Sequence, residues 1–148
     1  MGDRQMAILE TALMCMAFNI YHEARNESML GQIAVGQVVM NRVWDKRFPN
    51  TVCEVVKQAV THKGTNKPVL FRCSFSWYCD GQVDDVNKDS KAWRYSLEYA
   101  SIVLSGRIVL DITEGATHYH ATYVRPSWAR TKTRTTRIDR HIFYRWEK

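Results

Sequence analysis

"LETALMCMAFNIYHEARNES", Leu9 to Ser28, decides how the rest of the chain is read. Leu9, Leu13, Met16 and Ile20 recur at spacings of four, three and four, which is one face of an α-helix. The spacing predicts a helix from about Gln5 to Arg25. Glu23 follows Ile20 by three residues and Met16 by seven, so it falls on the apolar stripe itself. A carboxylate there has two readings. It is a structural ion pair with Arg25 or Arg42, or the stripe ends at a cleft and Glu23 forms its wall. Burial disfavours the charged form and raises the pKa. A carboxyl group protonated near neutral pH can give a proton to a leaving oxygen, as cleavage of a glycosidic bond requires. Glu27 is four residues on and, near a helix boundary, reads as a solvated side chain.

Working outward, Ser28 is a candidate N-cap for a second helix reaching about Trp44. Its segment "GQIAVGQVVMNRVW" is apolar on most sides, which marks a central, buried helix. Its two glycines are expected where another element approaches closely, since glycine inside a helix otherwise costs about 1 kcal/mol. "FPNT" is a turn, with Thr51 or Asn50 capping a short helix to about Ala59. Residues from His62 to Gly81 read as irregular and aromatic-rich. A further helix is expected from about Ser90 to Leu104, stopped by Gly106. Aromatic-rich runs at Ala116–Tyr123 and His141–Trp146 suggest short strands. The expected architecture is α+β: a mainly helical lobe with a small antiparallel sheet. With 148 residues, 45% of them hydrophobic, and no repeat or linker, residues 1–148 read as one domain.

No apolar run is long enough to span a bilayer, and the N-terminus shows no secretory signal, so a protein made in the cytoplasm is expected. Up to Ala121 there are thirteen basic and thirteen acidic residues; from Thr122 to Lys148 there are eight against two. All of the +6 net charge therefore sits in the last segment. That suits an anionic surface, whether nucleic acid, membrane or cell wall, or is simply a solvated basic face. Cys15 reads as a small buried hydrophobe. For Cys53, Cys73 and Cys79 the missing export signal argues against disulfides.

Two more segments carry site candidates. In "FRCSFSWYCDG", Phe71–Gly81, aromatic residues alternate with polar ones, a mixture that suits sugar rings: Ser74, Ser76, Trp77, Tyr78 and Asp80 are the candidates. The bland alternative is a buried aromatic loop. In "GATHYHATYVRPSWA", Gly115–Ala129, His118 and His120 point the same way if the segment is a strand. They can hydrogen-bond across a cleft or form one polar strand face. Tyr119, Tyr123, Arg125 and Trp128 complete this set. An HxH pair needs a further ligand to hold a metal, none is suitably spaced, and no metal or cofactor is expected. A Cys/His amidase, pairing Cys73 or Cys79 with His118 or His120, is a weaker reading.

"YHEARNES", "GQIAVGQVVMNRV", "CSFSWYCDG", "GATHYHATYVRPSWA" and "HIFYR" stand together in an order that resembles the catalytic domain of cell wall hydrolases of the spore-cortex-lytic enzyme type. The resemblance runs from about Ala12 to Arg145. The commonest family form has an aromatic before the glutamate and glycine after the arginine; here those positions are His22 and Asn26. The resemblance implies a lysozyme-like fold and cleavage of peptidoglycan between N-acetylmuramic acid and N-acetylglucosamine. It implies a lytic transglycosylase with one essential glutamate, which maps onto Glu23. Hydrolysis as a muramidase becomes the expectation if Asp80 faces Glu23. A basic catalytic domain without export signal or wall-binding domain looks like a phage endolysin, free or virion-associated, reaching the wall after the membrane opens. Residues 122–148 would then target the anionic envelope. A monomer is expected, and nucleic acid is not the expected partner, although a polyanion-binding module through residues 122–148 is the alternative from another class.

Overall fold

The computed structural model describes residues 11–81 and 85–147. Helix α1 spans Ala12–Ala24, and Thr11 caps it by accepting a hydrogen bond from the Met14 amide at 3.2 Å. Thr11 is in the extended region, so α1 begins directly after it; the expected start near Gln5 lies outside the described residues. Ser28 caps α2, Met29–Trp44, as its sequence position suggests. Thr51 caps α3, a single turn from Val52 to Val56. Ser90 caps α4, Lys91–Leu104.

Among the described residues, two small antiparallel sheets complete the fold. β1 (Ala59–Thr61) pairs with β2 (Pro68–Cys73), so the third helix stops short of Ala59 and the expected irregular stretch holds a hairpin. A 3-10 turn, Ser76–Cys79, follows it. The second sheet has the order β3 (His118–Ala121), β5 (His141–Arg145), β4 (Thr133–Ile138). Sequence reasoning placed β3 and β5 but missed β4. The segment from Thr122 on is therefore no basic tail: β4 and β5 both lie within it and build this sheet, with a further 3-10 turn at Ser127–Thr131.

Helix α2 is the centre. Residues Gly31 to Val39 are all buried. One face packs with α1 and α4, where Met16, Ile20, Val35, Val39, Trp93 and Ala100 form the main core. Ala34 and Val38 face the sheet, against Phe143 and Ala116. Gly36 meets the expectation for a close approach: a Cβ there would lie 3.0 Å from Val103 Cγ2 and 3.4 Å from Ile20 Cδ1. No described helix is long and apolar enough to cross a membrane.

All four cysteines are paired, Cys15 with Cys53 and Cys73 with Cys79, with Cα separations of 5.3 and 6.0 Å. This corrects both the reading of Cys15 as an unpaired core residue and the expectation of reduced thiols. The first bridge ties α1 to α3. The second closes the segment between β2 and the 3-10 turn that carries Trp77. With no free thiol, no cysteine is left to act as a nucleophile in an amidase.

Candidate active site

The polar residues of α2 position the strand that completes the site. Asn41 Nδ2 donates to Asp111 Oδ2 (2.8 Å) and to the Ala116 carbonyl (2.9 Å), and Arg42 Nε donates to the Thr117 carbonyl at 2.7 Å. These bonds fix the chain as it enters β3. Pairing of β3 with β5 then sets the register, with Tyr119 opposite Phe143. Because side chains alternate along a strand, Tyr119 points to the opposite face from His118 and His120. It points at α1, and its hydroxyl donates to Glu23 Oε1.

Glu23 stands in the last turn of α1, half-buried. Burial pushes its pKa above the ordinary value of 4.5. Two neighbours oppose that shift, the Tyr119 hydrogen bond and the positive charge of Arg42. Among the described residues, neither Arg25 nor Arg42 forms an ion pair with it. Arg25 is exposed, bonded to the Tyr21 carbonyl at 3.3 Å and lying over the Tyr21 ring. Arg42 is buried between the rings of Phe48 and Phe75, and its Nη1 has no partner among the described residues. It is a fixed positive charge beneath the site. Tyr119 is itself held neutral, its pKa raised by burial and by Glu23.

Glu23 opens onto a cleft of ≈ 240 Å³ that also contains His22, Glu27, Tyr123, Arg140 and His141. The cleft wall is held by the β4–β5 turn. Asp139, at φ 51°, accepts from the Ser28 amide (3.0 Å) and hydroxyl (2.6 Å). A Cβ on Gly31 would come within 2.4 Å of the Asp139 carboxylate, so only glycine lets the turn seat here. The turn then carries Arg140 to Glu27, with Nε 3.2 Å from Oε1. The Glu27 side chain is 9% exposed. It is a paired carboxylate in the wall, not the solvated residue its position near a helix boundary suggests.

Behind Glu23, His22 stacks on Trp77 with ring centroids 4.7 Å apart and planes at 16°. The Trp77 indole donates to the buried Asn19 side chain at 2.8 Å. Trp77 is thus covered by α1 and presents no open face. Of the other candidates in that segment, Ser74 and Ser76 are exposed, while Tyr78 and Asp80 are half-buried. None of them lines the cleft, and Asp80 is not across it from Glu23. The acid that shares the cleft is Glu27.

His118 and His120 lie on the far face of the sheet. His118 sits among Phe48, Trp128 and Trp146, and burial together with Arg42, Lys132 and Arg47 lowers its pKa to about 3. His120 stacks on Tyr144 and its Nε2 is 2.9 Å from the Tyr144 hydroxyl. Trp128 packs between the two histidines and Tyr144. These residues make a packed aromatic cluster and do not reach the Glu23 cleft. Arg125 is exposed outside it, while Tyr123 lines it and is 84% exposed. Sequence reasoning missed His141 and Arg140 as cleft residues; the "HIFYR" block was the available signal for His141, and Arg140 just before it had none. Among the described residues no group of three His, Cys, Asp or Glu side chains is placed to hold a metal.

A family model described as Cell Wall Hydrolase matches residues 26–144, beginning just after Glu23. The spore cortex-lytic enzyme of Halalkalibacterium halodurans is 31% identical over 129 residues, 86% of this chain and 33% of that protein. The spore cortex-lytic enzyme of Bacillus cereus is 51% identical over 41 residues, 28% of this chain and 16% of that protein. This chain thus spans a third or less of the length of these relatives. Among solved structures, the catalytic domain of the germination-specific lytic transglycosylase SleB from Bacillus anthracis superposes with a TM-score of 0.67 at 27% identity, covering 92% of this chain and 95% of that one. The catalytic domain of the Bacillus cereus SleB protein gives 0.61 at 27% identity, covering 90% and 89%. The α+β arrangement is therefore the lysozyme-like one of these catalytic domains.

Proposed function

Because this chain belongs to the cell wall hydrolase family, we propose that it cleaves the glycan strand of peptidoglycan between N-acetylmuramic acid and N-acetylglucosamine, as a lytic transglycosylase. The observation that carries the reading is the Glu23 carboxyl, held by Tyr119 on the wall of a cleft, with its proton retained to higher pH by burial. Protonated Glu23 gives its proton to the glycosidic oxygen as the bond to the muramyl anomeric carbon breaks. The carboxylate so formed is stabilised by the Tyr119 hydroxyl and the Arg42 charge. It then takes the proton of the muramyl C6 hydroxyl as that oxygen attacks the anomeric carbon. One carboxyl serves both steps, and the product end is a 1,6-anhydro sugar.

A second carboxylate, Glu27, lines the same cleft, and it favours one alternative. If Glu27 directs a water to the anomeric carbon, the reaction is hydrolysis by a pair of acids, as in ordinary glycosidases. Its engagement with Arg140 argues for the single-acid route. Mass spectrometry of muropeptides released from purified walls decides between them. Anhydro ends are expected; reducing ends would overturn the transglycosylase assignment and leave a muramidase.

The setting is part of the proposal. Two disulfides suit a protein that works in an oxidising envelope. A phage lysin that reaches the wall after the membrane opens is such a case. Exposed Arg134 and Arg137 on β4 offer an anionic wall a basic edge, whereas Arg140 and Arg145 are engaged with Glu27 and Glu147. A polyanion-binding module would bind nucleic acid with a steep salt dependence; the expected result is weak binding at physiological salt.

A further inference from the structure

Among the described residues His141 is the one polar cleft residue to which the proposed reaction assigns nothing although it is almost wholly buried, at 8% exposure. It opens β5 directly after the Asp139–Arg140 turn, and its ring meets the Tyr119 ring edge-on with centroids 5.0 Å apart. It therefore stands beside the phenol that holds Glu23. Its Nδ1 is enclosed and has no hydrogen-bond partner among the described residues. Nε2 also makes no bond to a described residue but is not enclosed, so it is the ring nitrogen that opens to the cleft.

These facts set the tautomer. A hydrogen on Nδ1 would bury a donor with no acceptor, so the hydrogen belongs on Nε2. Protonating the ring would create the same unpaired donor, with a charge added. The charged groups nearest the ring are Glu27 and Asp139, which favour the imidazolium, and Arg140, which opposes it, as does the more distant His120 on the other face of the sheet; Tyr119 is uncharged. Burial outweighs them and lowers the pKa below 6.5. His141 thus presents a neutral N–H donor to the cleft near Glu23. The matching ligand group is an oxygen that only accepts. On the same wall the Glu27 carboxylate is an acceptor. A donor beside an acceptor complements a secondary amide, whose carbonyl accepts while its N–H donates.

We propose that His141 is a substrate-binding residue that donates from Nε2 to the acetamido carbonyl of the sugar beside Glu23, and that this bond selects N-acetylated glycan over glycan whose amino groups are free. The proposal rests on the glycan-cleaving reading of the site. A free amino sugar has an ammonium group there, which only donates, so the Nε2 donor is left unpaired against a donor.

The test uses one preparation of purified peptidoglycan in two forms, enzymatically de-N-acetylated and the same material re-acetylated with acetic anhydride. Initial rates of soluble muropeptide release are compared for the wild type, His141→Phe and His141→Gln. The wild type is expected to favour the acetylated wall about tenfold, the worth of one hydrogen bond in a cleft. His141→Phe, which has no donor, is expected to lose that ratio. His141→Gln, which places an amide N–H near the position of Nε2, is expected to keep much of it. A wild type without preference overturns the proposal whatever the variants do, as does a folded His141→Phe protein that keeps the preference. A wild type that cleaves neither wall overturns the glycan-cleaving reading itself, which distinguishes the two failures.

Discussion

Replacing Tyr119 with Phe removes one atom from the site and leaves the ring in place. The ring packs against His141 and Phe143, with centroids 5.0 and 5.6 Å away, so the substitution keeps the wall of the cleft. What it removes is the hydrogen bond to Glu23 Oε1. That bond holds the Glu23 pKa down against the larger, upward effect of burial. A hydrogen bond to a charged group contributes roughly 1.5–3 kcal/mol. Its loss therefore moves the Glu23 pKa further up, since the opposing effect of burial is left in place. The active form in the first step is the protonated one, so the alkaline limb of kcat/KM moves up with that pKa. The assay is dye release from labelled walls as a function of pH, followed on both sides of the limb for the wild type and the variant. A limb that stays in place in a folded Tyr119→Phe protein would refute the assignment of that limb to Glu23. A limb that moves down would contradict the electrostatic reading of the site altogether.

Three other outcomes follow from the same geometry. The Cys15–Cys53 bridge closes a separation of 38 residues, so in the chain-entropy model its removal costs roughly 4 kcal/mol. Urea unfolding of the Cys15→Ala/Cys53→Ala protein should show a correspondingly lower midpoint, and an unchanged midpoint would show that the bridge carries no load. Gly36→Ala puts a methyl 3.0 Å from Val103 Cγ2 on α4 and is expected to cost about 1–3 kcal/mol, read by thermal unfolding; a neutral or stabilising result would mean that the helices part freely. Glu23→Gln should stabilise the fold at high pH. The folded Glu23 pKa lies above its unfolded value of 4.5, so its contribution to stability is full below that pH and is lost as pH rises through the folded pKa. The Tm advantage of Glu23→Gln should therefore grow as pH rises from below 4.5 through the folded pKa, and a constant difference would speak against a carboxyl whose pKa is raised in the fold.

Much of the helical frame was legible because its signals are local. Ser28, Thr51 and Ser90 cap helices where the sequence places them, and α2 is buried on the sides its apolar residues suggest. Glu23 was legible for the same reason: one charged residue in a helical apolar pattern. The failures are non-local. "TRTTRI" is a strand only because β5 lies beside it, and its two arginines, three residues apart, look like any solvated basic run. Cysteines 38 residues apart carry no mark of their pairing. Strand alternation correctly put His118 and His120 on one face. Which face meets α1 is decided by the β3–β5 register and by the bonds from Asn41 and Arg42, so Tyr119 and not the histidines reaches Glu23. Arg140 and His141 enter the cleft only because Gly31 leaves room for Asp139 at Ser28.

The central claim is that the Glu23 carboxyl carries the chemistry. The most direct measurement is the rate at which purified walls are solubilised by Glu23→Gln, compared with the wild type at equal folded concentration. The amide that replaces the carboxyl keeps its shape and an acceptor for the Tyr119 hydroxyl but cannot act as the acid. General acid–base catalysis contributes about 10²- to 10⁴-fold, so a fall in that range or beyond is expected. A folded Glu23→Gln protein that clears walls at the wild-type rate would contradict the account.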